Sequence, residues 1–172
     1  MKQLILGGAR SGKSALAQRL AASTGECVVY IATATADDEE MAARIAQHQS
    51  DRPSQWSLIE EPIALPAVLA QLSGSEKTIL IDCLTLWLSN VLGSNGNMSL
   101  ITNFIQAVDE FDGHLIMVSN EVGQGIVPMG ELSRQFVDEA GNLHQQIAAH
   151  CDRVVMTVAG IPTTIKGDKI EV

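Results

Sequence analysis

The chain has 172 residues, 46% of them hydrophobic and 18% charged, which excludes a disordered chain and leaves room for one domain with a proper core. A formal net charge of −9 and a pI near 4.8 argue against a broad nucleic-acid or anionic-membrane surface, so an anionic ligand must be captured locally. No apolar stretch reaches the ~20 residues that a membrane span needs.

In chain order, QLILG (3–7) is a short apolar run ending in glycine and suits a buried strand. From Lys13 the pattern KSALAQRLAAS puts Leu16, Ala17, Leu20 and Ala21 on one helical face. CVVYIAT (27–33) is β-branched and aromatic, a second strand. ADDEEMAARIAQHQS (36–50) opens with acids that favour a helix N-terminus and continues as a helix. After Pro53 come a helical stretch at roughly 62–73 and a third strand, KTILIDCL (77–84). GSNGNM (93–98) is the most loop-like segment. A helix near 99–112 leads into a fourth strand, HLIMVSN (114–120). EVGQGIVPMG (121–130) is too rich in glycine and proline for a regular element. Residues 131–150 carry Leu132, Phe136, Ala140, Leu143 and Ile147 on one helical stripe, and RVVMTVAG (153–160) is a fifth strand with a short tail after it. Strands alternating with helices predict an α/β fold with a mostly parallel central sheet.

Cys27, Cys83 and Cys151 are odd in number and form no Cys-x-x-Cys pair, so neither a disulfide framework nor a zinc site is expected. Each lies in or beside an apolar run, where free cysteine packs as a small hydrophobe. With no room for a signal peptide before Gly7, a reducing cytoplasm is the expected compartment.

GGARSGKS (7–14) matches G-x-x-x-x-G-K-[ST]. Glycines let the backbone amides of Gly7, Gly8, Ala9, Arg10, Ser11 and Gly12 converge on phosphate oxygens, and the following helix adds its positive end. Lys13 then reaches the β- and γ-phosphates and Ser14 ligates Mg²⁺. A strand before the loop and an amphipathic helix after it separate this motif from a chance glycine-rich turn. Asp82, at the end of TILID, supplies the acid that a Mg²⁺-nucleotide site needs.

A GTPase switch would carry N-K-x-D, yet the chain contains no Asn-Lys pair. Its D-x-x-G match, DEAG (138–141), lies inside the amphipathic helix rather than after the Asp82 strand. A small-molecule P-loop kinase without nucleotidyl transfer fits the length and the loop, but leaves His48 and NEVGQGIVP unexplained. A non-catalytic nucleotide-binding module predicts no turnover at all.

The segments GGARSGKS, YIATA (30–34), DDEEMAARIAQHQSDRP (37–53), VSNEVGQGIVP (118–128) and LSRQFVDEAGNLHQ (132–145) occur in an order that resembles the bifunctional adenosylcobinamide kinase / adenosylcobinamide-phosphate guanylyltransferase family. The resemblance spans nearly the whole chain, and H-x-x-x-R-P and NEVG-x-GIVP are more diagnostic than the phosphate loop. It implies a single RecA-like P-loop NTPase domain over 1–172. It also implies phosphorylation of adenosylcobinamide from ATP or GTP, then GMP transfer from GTP onto adenosylcobinamide phosphate.

In such enzymes a histidine becomes guanylylated, and His48 holds the matching position. By pattern alone His48 is an exposed helix residue; His114, His144 and His150 read as structural. Imidazole suits the role, because near neutral pH most of it carries a free nitrogen lone pair. Arg44 and Arg52 flank His48 and can offset phosphate charge. The resemblance further implies nucleotide contacts at Ala32, Thr33, Ala34, Gln49, Ser50, Asp51, Arg52, Glu60 and Asp82, and a homotrimer. Glu121 and the glycines of NEVGQGIVP either shape the cobinamide side or form a structural loop. Two departures stand out: the 90–113 region is shorter than in relatives, and His144 stands where asparagine is common.

Overall fold

The computed structural model describes residues 1–35, 39, 43, 46, 53–94 and 97–170. The elements run β1 (Lys2–Gly7), α1 (Lys13–Ser23), β2 (Cys27–Ala32), β3 (Ser57–Glu60), α2 (Leu65–Leu72) and β4 (Lys77–Asp82). They continue with α3 (Leu84–Gly93), α4 (Ser99–Glu110), β5 (His114–Asn120), α5 (Glu131–His150), β6 (Arg153–Val158) and β7 (Ile161–Lys166). The strands form one sheet in the order β3-β2-β4-β5-β1-β6-β7. Every pairing is parallel except β6 with β7, which is antiparallel.

A parallel sheet needs cover on both faces, which is why its central strands read as unbroken apolar runs. Side chains on a strand alternate between faces, and two cores result. On one face Leu4, Val29, Ile31, Ile79, Ile81, Leu115 and Met117 pack with residues of α2, α3, α4 and α5. On the other, Ile5, Val28, Tyr30, Leu80, Ile116, Val118 and Val155 pack against Leu16, Ala17 and Ala21 of α1. Trp87 of α3 and Phe104 of α4 are fully buried, their ring centroids 4.7 Å apart at a tilt of 46°. The Trp87 indole N–H donates to Ile63 O at 2.8 Å, so this large apolar group leaves no polar atom stranded.

Three elements escape the sequence reading. β3 is a four-residue edge strand whose side chains are mostly exposed, so SLIE shows no apolar run. The reading carries the third strand to Leu84, whereas β4 stops at Asp82 and Leu84 already opens α3. α3 is apolar almost all round because it is buried, and so lacks the polar face by which a surface helix is recognised. The tail is β7, returned by a tight turn in which Ala159 and Gly160 have φ of 51° and 80°. Two residues of positive φ between paired strands are the hairpin turn whose twist suits the flanking strands.

The α5 stripe holds for Ala140, Leu143 and Ile147, but Leu132 is exposed. Cys83 and Cys151 are buried as expected, whereas Cys27 is exposed. Burial pushes the Cys83 thiol up to about 11 and the Cys151 thiol up to about 12, so neither is a ready nucleophile. Of the stretch read as helix 36–50, Glu39, Ala43 and Ala46 are described, each helical and exposed.

Candidate active site

The candidate site lies at the carboxyl ends of the parallel strands, where open α/β sheets hold their ligands. Register places its parts. Ala32 of β2 pairs with Glu60 of β3 on one side and Asp82 of β4 on the other. Gly7, last in β1, pairs with Asn120, last in β5. The carboxylates of Glu60 and Asp82 and the start of the phosphate loop therefore share one edge of the sheet.

The loop turns through two left-handed residues, Arg10 (φ 54°) and Gly12 (φ 93°). Gly12 precedes α1, and its carbonyl accepts the first helical bond from Leu16 N–H at 3.0 Å. No side chain caps this helix and its first turn carries no acid. Its leading amides are thus left for an anion, with the helix dipole favouring negative charge there. Gly8, Ala9 and Arg10 are exposed at the mouth, Ser14 is half-buried, and Ser11 and Lys13 are buried. The Lys13 ammonium donates to Gly8 O at 3.0 Å. Burial lowers its pKa, while the negative charge of Asp82 pulls the other way. Lys13 is a cation partly stripped of water and aimed back across its own loop.

The second wall is held by hydrogen bonds. Thr33 Oγ1 donates to Cys83 O at 2.6 Å and accepts from Cys83 N–H at 2.9 Å, tying the end of β2 to the residue after Asp82. Asn90 Nδ2 of α3 donates to Thr33 O at 2.9 Å and to Pro62 O at 3.2 Å. Glu61 Oε1 accepts from the N–H groups of Ile63 and Ala64 at 2.9 and 2.7 Å, leaving the neighbouring Glu60 exposed at the strand end. Ala34 is half-buried just beyond. Ser14 and Asp82 would offer a hydroxyl and a carboxylate, the hard oxygen donors that Mg²⁺ prefers. Among the described residues no three His, Cys, Asp or Glu side chains cluster as a metal cage.

The sequence reading missed two supports. The β6–β7 turn braces the loop, since Gly160 N–H donates to Ser11 O at 2.8 Å; the signal was Ala159-Gly160 between β-branched runs. The other support is polar. His144 Nε2 of α5 lies 2.7 Å from Ser119 Oγ, which lies 3.1 Å from Thr85 Oγ1. Thr85 Oγ1 accepts Asn120 N–H at 2.6 Å, and His144 Nδ1 stands 4.0 Å from Glu121 Oε2. His144 is therefore part of the site's frame. His150 pairs with Asp109 at 2.8 Å, and His114 lies 3.9 Å from Glu26. His48, Arg44, Gln49, Ser50, Asp51 and Arg52 lie outside the described residues.

Burial lowers the His144 pKa from 6.5, with Glu121 opposing. The folded chain then holds this imidazole neutral while the unfolded chain takes up a proton. Stability is full above pH 6.5 and falls as pH drops from there through the lower folded value. His144→Asn is expected to flatten the decline of melting temperature between pH 7 and 5; an unchanged slope would assign that decline to other groups.

A parallel sheet, a glycine-rich loop into a helix and an acid two strands away define the class of P-loop α/β proteins. Solved structures agree on the fold: the chain is similar to flagellar accessory protein FlaH from Methanocaldococcus jannaschii (TM-score 0.52, 14% identity, 96% of this chain and 78% of that one). It is likewise similar to the RadB recombinase (TM-score 0.52, 14% identity, 90% and 72%). Within that class, the chain belongs to the cobinamide kinase / cobinamide phosphate guanyltransferase family, which matches residues 3–165. It is 52% identical to the bifunctional adenosylcobalamin biosynthesis protein CobP of Pseudomonas aeruginosa, over 99% of this chain and 100% of that one. It is 35% and 36% identical to the CobU proteins of Escherichia coli and Salmonella typhimurium, over 96% of this chain and all of each relative.

Proposed function

We propose that this chain phosphorylates the hydroxyl of adenosylcobinamide from a nucleoside triphosphate and then transfers GMP from GTP onto that phosphate. The observation that carries the reading is the pairing of the phosphate loop and its buried Lys13 with a family match over residues 3–165. The loop amides of Gly7 to Gly12 and the Lys13 ammonium grip the β- and γ-phosphates. Ser14 and Asp82 hold Mg²⁺, which when bound neutralises charge on the phosphate oxygens. Ala32, Thr33, Ala34 and Glu60 border the nucleotide from the β2 and β3 ends, and Gln49 to Arg52 from beyond His48.

In the second half-reaction a lone-pair nitrogen of His48 attacks the α-phosphorus of GTP. A nitrogen–phosphorus bond forms and the bond to the β-phosphate bridge breaks, releasing pyrophosphate. A phosphate oxygen of adenosylcobinamide phosphate then attacks the same phosphorus, frees the imidazole and leaves adenosylcobinamide-GDP. Splitting one displacement into two is the advantage of a covalent intermediate. With these reactions we propose one domain over 1–172, a cytoplasmic setting, no nucleic-acid partner at a net charge of −9, and a homotrimer. In the trimer a cleft between subunits would house a corrinoid too large for one 172-residue domain. Among the described residues no helix is long and apolar enough to cross a membrane.

The test is incubation with GTP labelled at the α-phosphate. Wild type is expected to retain acid-labile label on the protein, and His48→Ala to retain none while still moving the γ-phosphate to adenosylcobinamide. Wild type that moves only the γ-phosphate would leave a small-molecule kinase; no turnover dependent on Lys13 would leave a binding module.

A further inference from the structure

We propose that Glu121 is the base of the phosphorylation step and that His144 positions it. The inference rests on the kinase half of the reading above and names the group that takes the proton.

An alcohol attacking a γ-phosphorus must lose its proton, and a carboxylate at hydrogen-bond reach serves that purpose. Glu121 stands at the right strand end. β5 lies between β1, which carries the phosphate loop, and β4, which carries Asp82. Glu121 N–H donates to Gly7 O at 3.0 Å, and the next carbonyl in the loop, that of Gly8, holds the Lys13 ammonium. The backbone of Glu121 is thus pinned to the start of the loop, one residue before the carbonyl that holds Lys13.

The two carboxylate oxygens are unequal. Oε1 accepts Gly123 N–H at 2.6 Å, and a Cβ at Gly123 would crowd that oxygen at 3.1 Å. Oε2 faces His144 Nδ1 at 4.0 Å, with the Glu121 side chain 20% exposed and His144 9%. One oxygen is anchored and the other has capacity for an incoming hydroxyl.

Behind the histidine, Thr85 Oγ1 accepts from Asn120 N–H and lies 3.1 Å from Ser119 Oγ, which lies 2.7 Å from His144 Nε2. With Ser119 donating to Nε2, the ring proton sits on Nδ1, toward Glu121; this is the tautomer the positioning role requires. Burial keeps the ring neutral. In that tautomer the Nδ1–H is directed at Glu121 Oε2 and orients the carboxylate. In the step, the hydroxyl proton passes to Glu121 Oε2 and the hydroxyl oxygen bonds to the γ-phosphorus. The bond from that phosphorus to the bridging oxygen breaks, and the nucleoside diphosphate leaves.

The experiment measures transfer of labelled γ-phosphate to adenosylcobinamide alongside protein labelling from α-labelled GTP. Glu121→Gln keeps an oxygen for Gly123 N–H and removes the base. Its kcat is expected to fall roughly 100-fold, with KM for the alcohol within about 3-fold and the protein label retained. His144→Leu is expected to lose roughly 10-fold in kcat, and His144→Asn, which keeps a side-chain N–H, to recover most of it. A Glu121→Gln enzyme with kinase kcat within about 3-fold of wild type would overturn the proposal. So would loss of kinase and protein label in parallel, because Glu121 would then serve only the loop's fold. Wild type that moves no γ-phosphate while still taking up the α-label would instead remove the kinase reading, and this inference with it.

Discussion

Lys13→Met is expected to abolish both half-reactions while leaving the ligand-free protein at least as stable as wild type. Removing one preorganised group that stabilises charge developing in a transition state costs roughly 10²–10³ in kcat. Lys13 serves both displacements, since it grips the γ-phosphate that is donated in one reaction and the β- and γ-phosphates that leave together as pyrophosphate in the other. The stability half of the expectation follows from burial. The native fold holds this ammonium where desolvation lowers its pKa, only partly offset by Asp82. An unbranched neutral side chain of similar length relieves that penalty at the expense of one bond to Gly8 O. Thermal melts with and without GTP read both halves. The expected result is an undiminished melting temperature without nucleotide and loss of the upward shift with it. A large fall in the ligand-free melting temperature would show that Lys13 is a structural prop of the loop.

Gly7→Ala should do the reverse and strike fold and nucleotide grip together. A Cβ at Gly7 would stand 2.4 Å from Ser11 Oγ and 2.6 Å from Thr157 O. The hydroxyl can rotate away, but the carbonyl belongs to β6, where Gly7 and Thr157 are register partners. The sheet must open where the phosphate loop begins. Overpacking of this kind costs about 1–3 kcal/mol, and in a chain of this size each kcal/mol lowers the melting temperature by about 2–4 °C. Because Gly160 N–H braces the loop through Ser11 O, a displaced β6 carries the loop with it. KM for the triphosphate should rise in parallel. Gly8→Ala is the control for the melting temperature alone, since a Cβ there meets no protein atom within 4 Å. If Gly7→Ala melts and binds like wild type, the close approach of β6 does not shape the loop.

The elements legible in the sequence are those whose burial leaves a one-dimensional trace. Leu4, Ile5 and Leu6 are inside because both faces of a parallel strand are covered, and an unbroken apolar run announces it. The amphipathic α1 and α5 announce themselves by period. β3 leaves little trace: a four-residue edge strand buries too little side chain to pattern its sequence, and its place is fixed by pairing with β2. For the site, the phosphate loop was readable because its chemistry requires contiguous residues. Thr33 with Cys83, Asn90 with Pro62, and His144 with Ser119 are contacts across 50, 28 and 25 positions, and no local pattern encodes them.

By itself, then, the sequence determined the α/β class, the nucleotide loop with Lys13 and Ser14, and the family, since each is carried by residues close together or in a fixed order. Only the tertiary structure decided that Glu60, Ala32 and Asp82 stand in one row, that the Ala159-Gly160 turn braces the loop, and that a buried neutral His144 faces Glu121. Those relations depend on strand order and register, which are settled by burying two faces of one sheet at once.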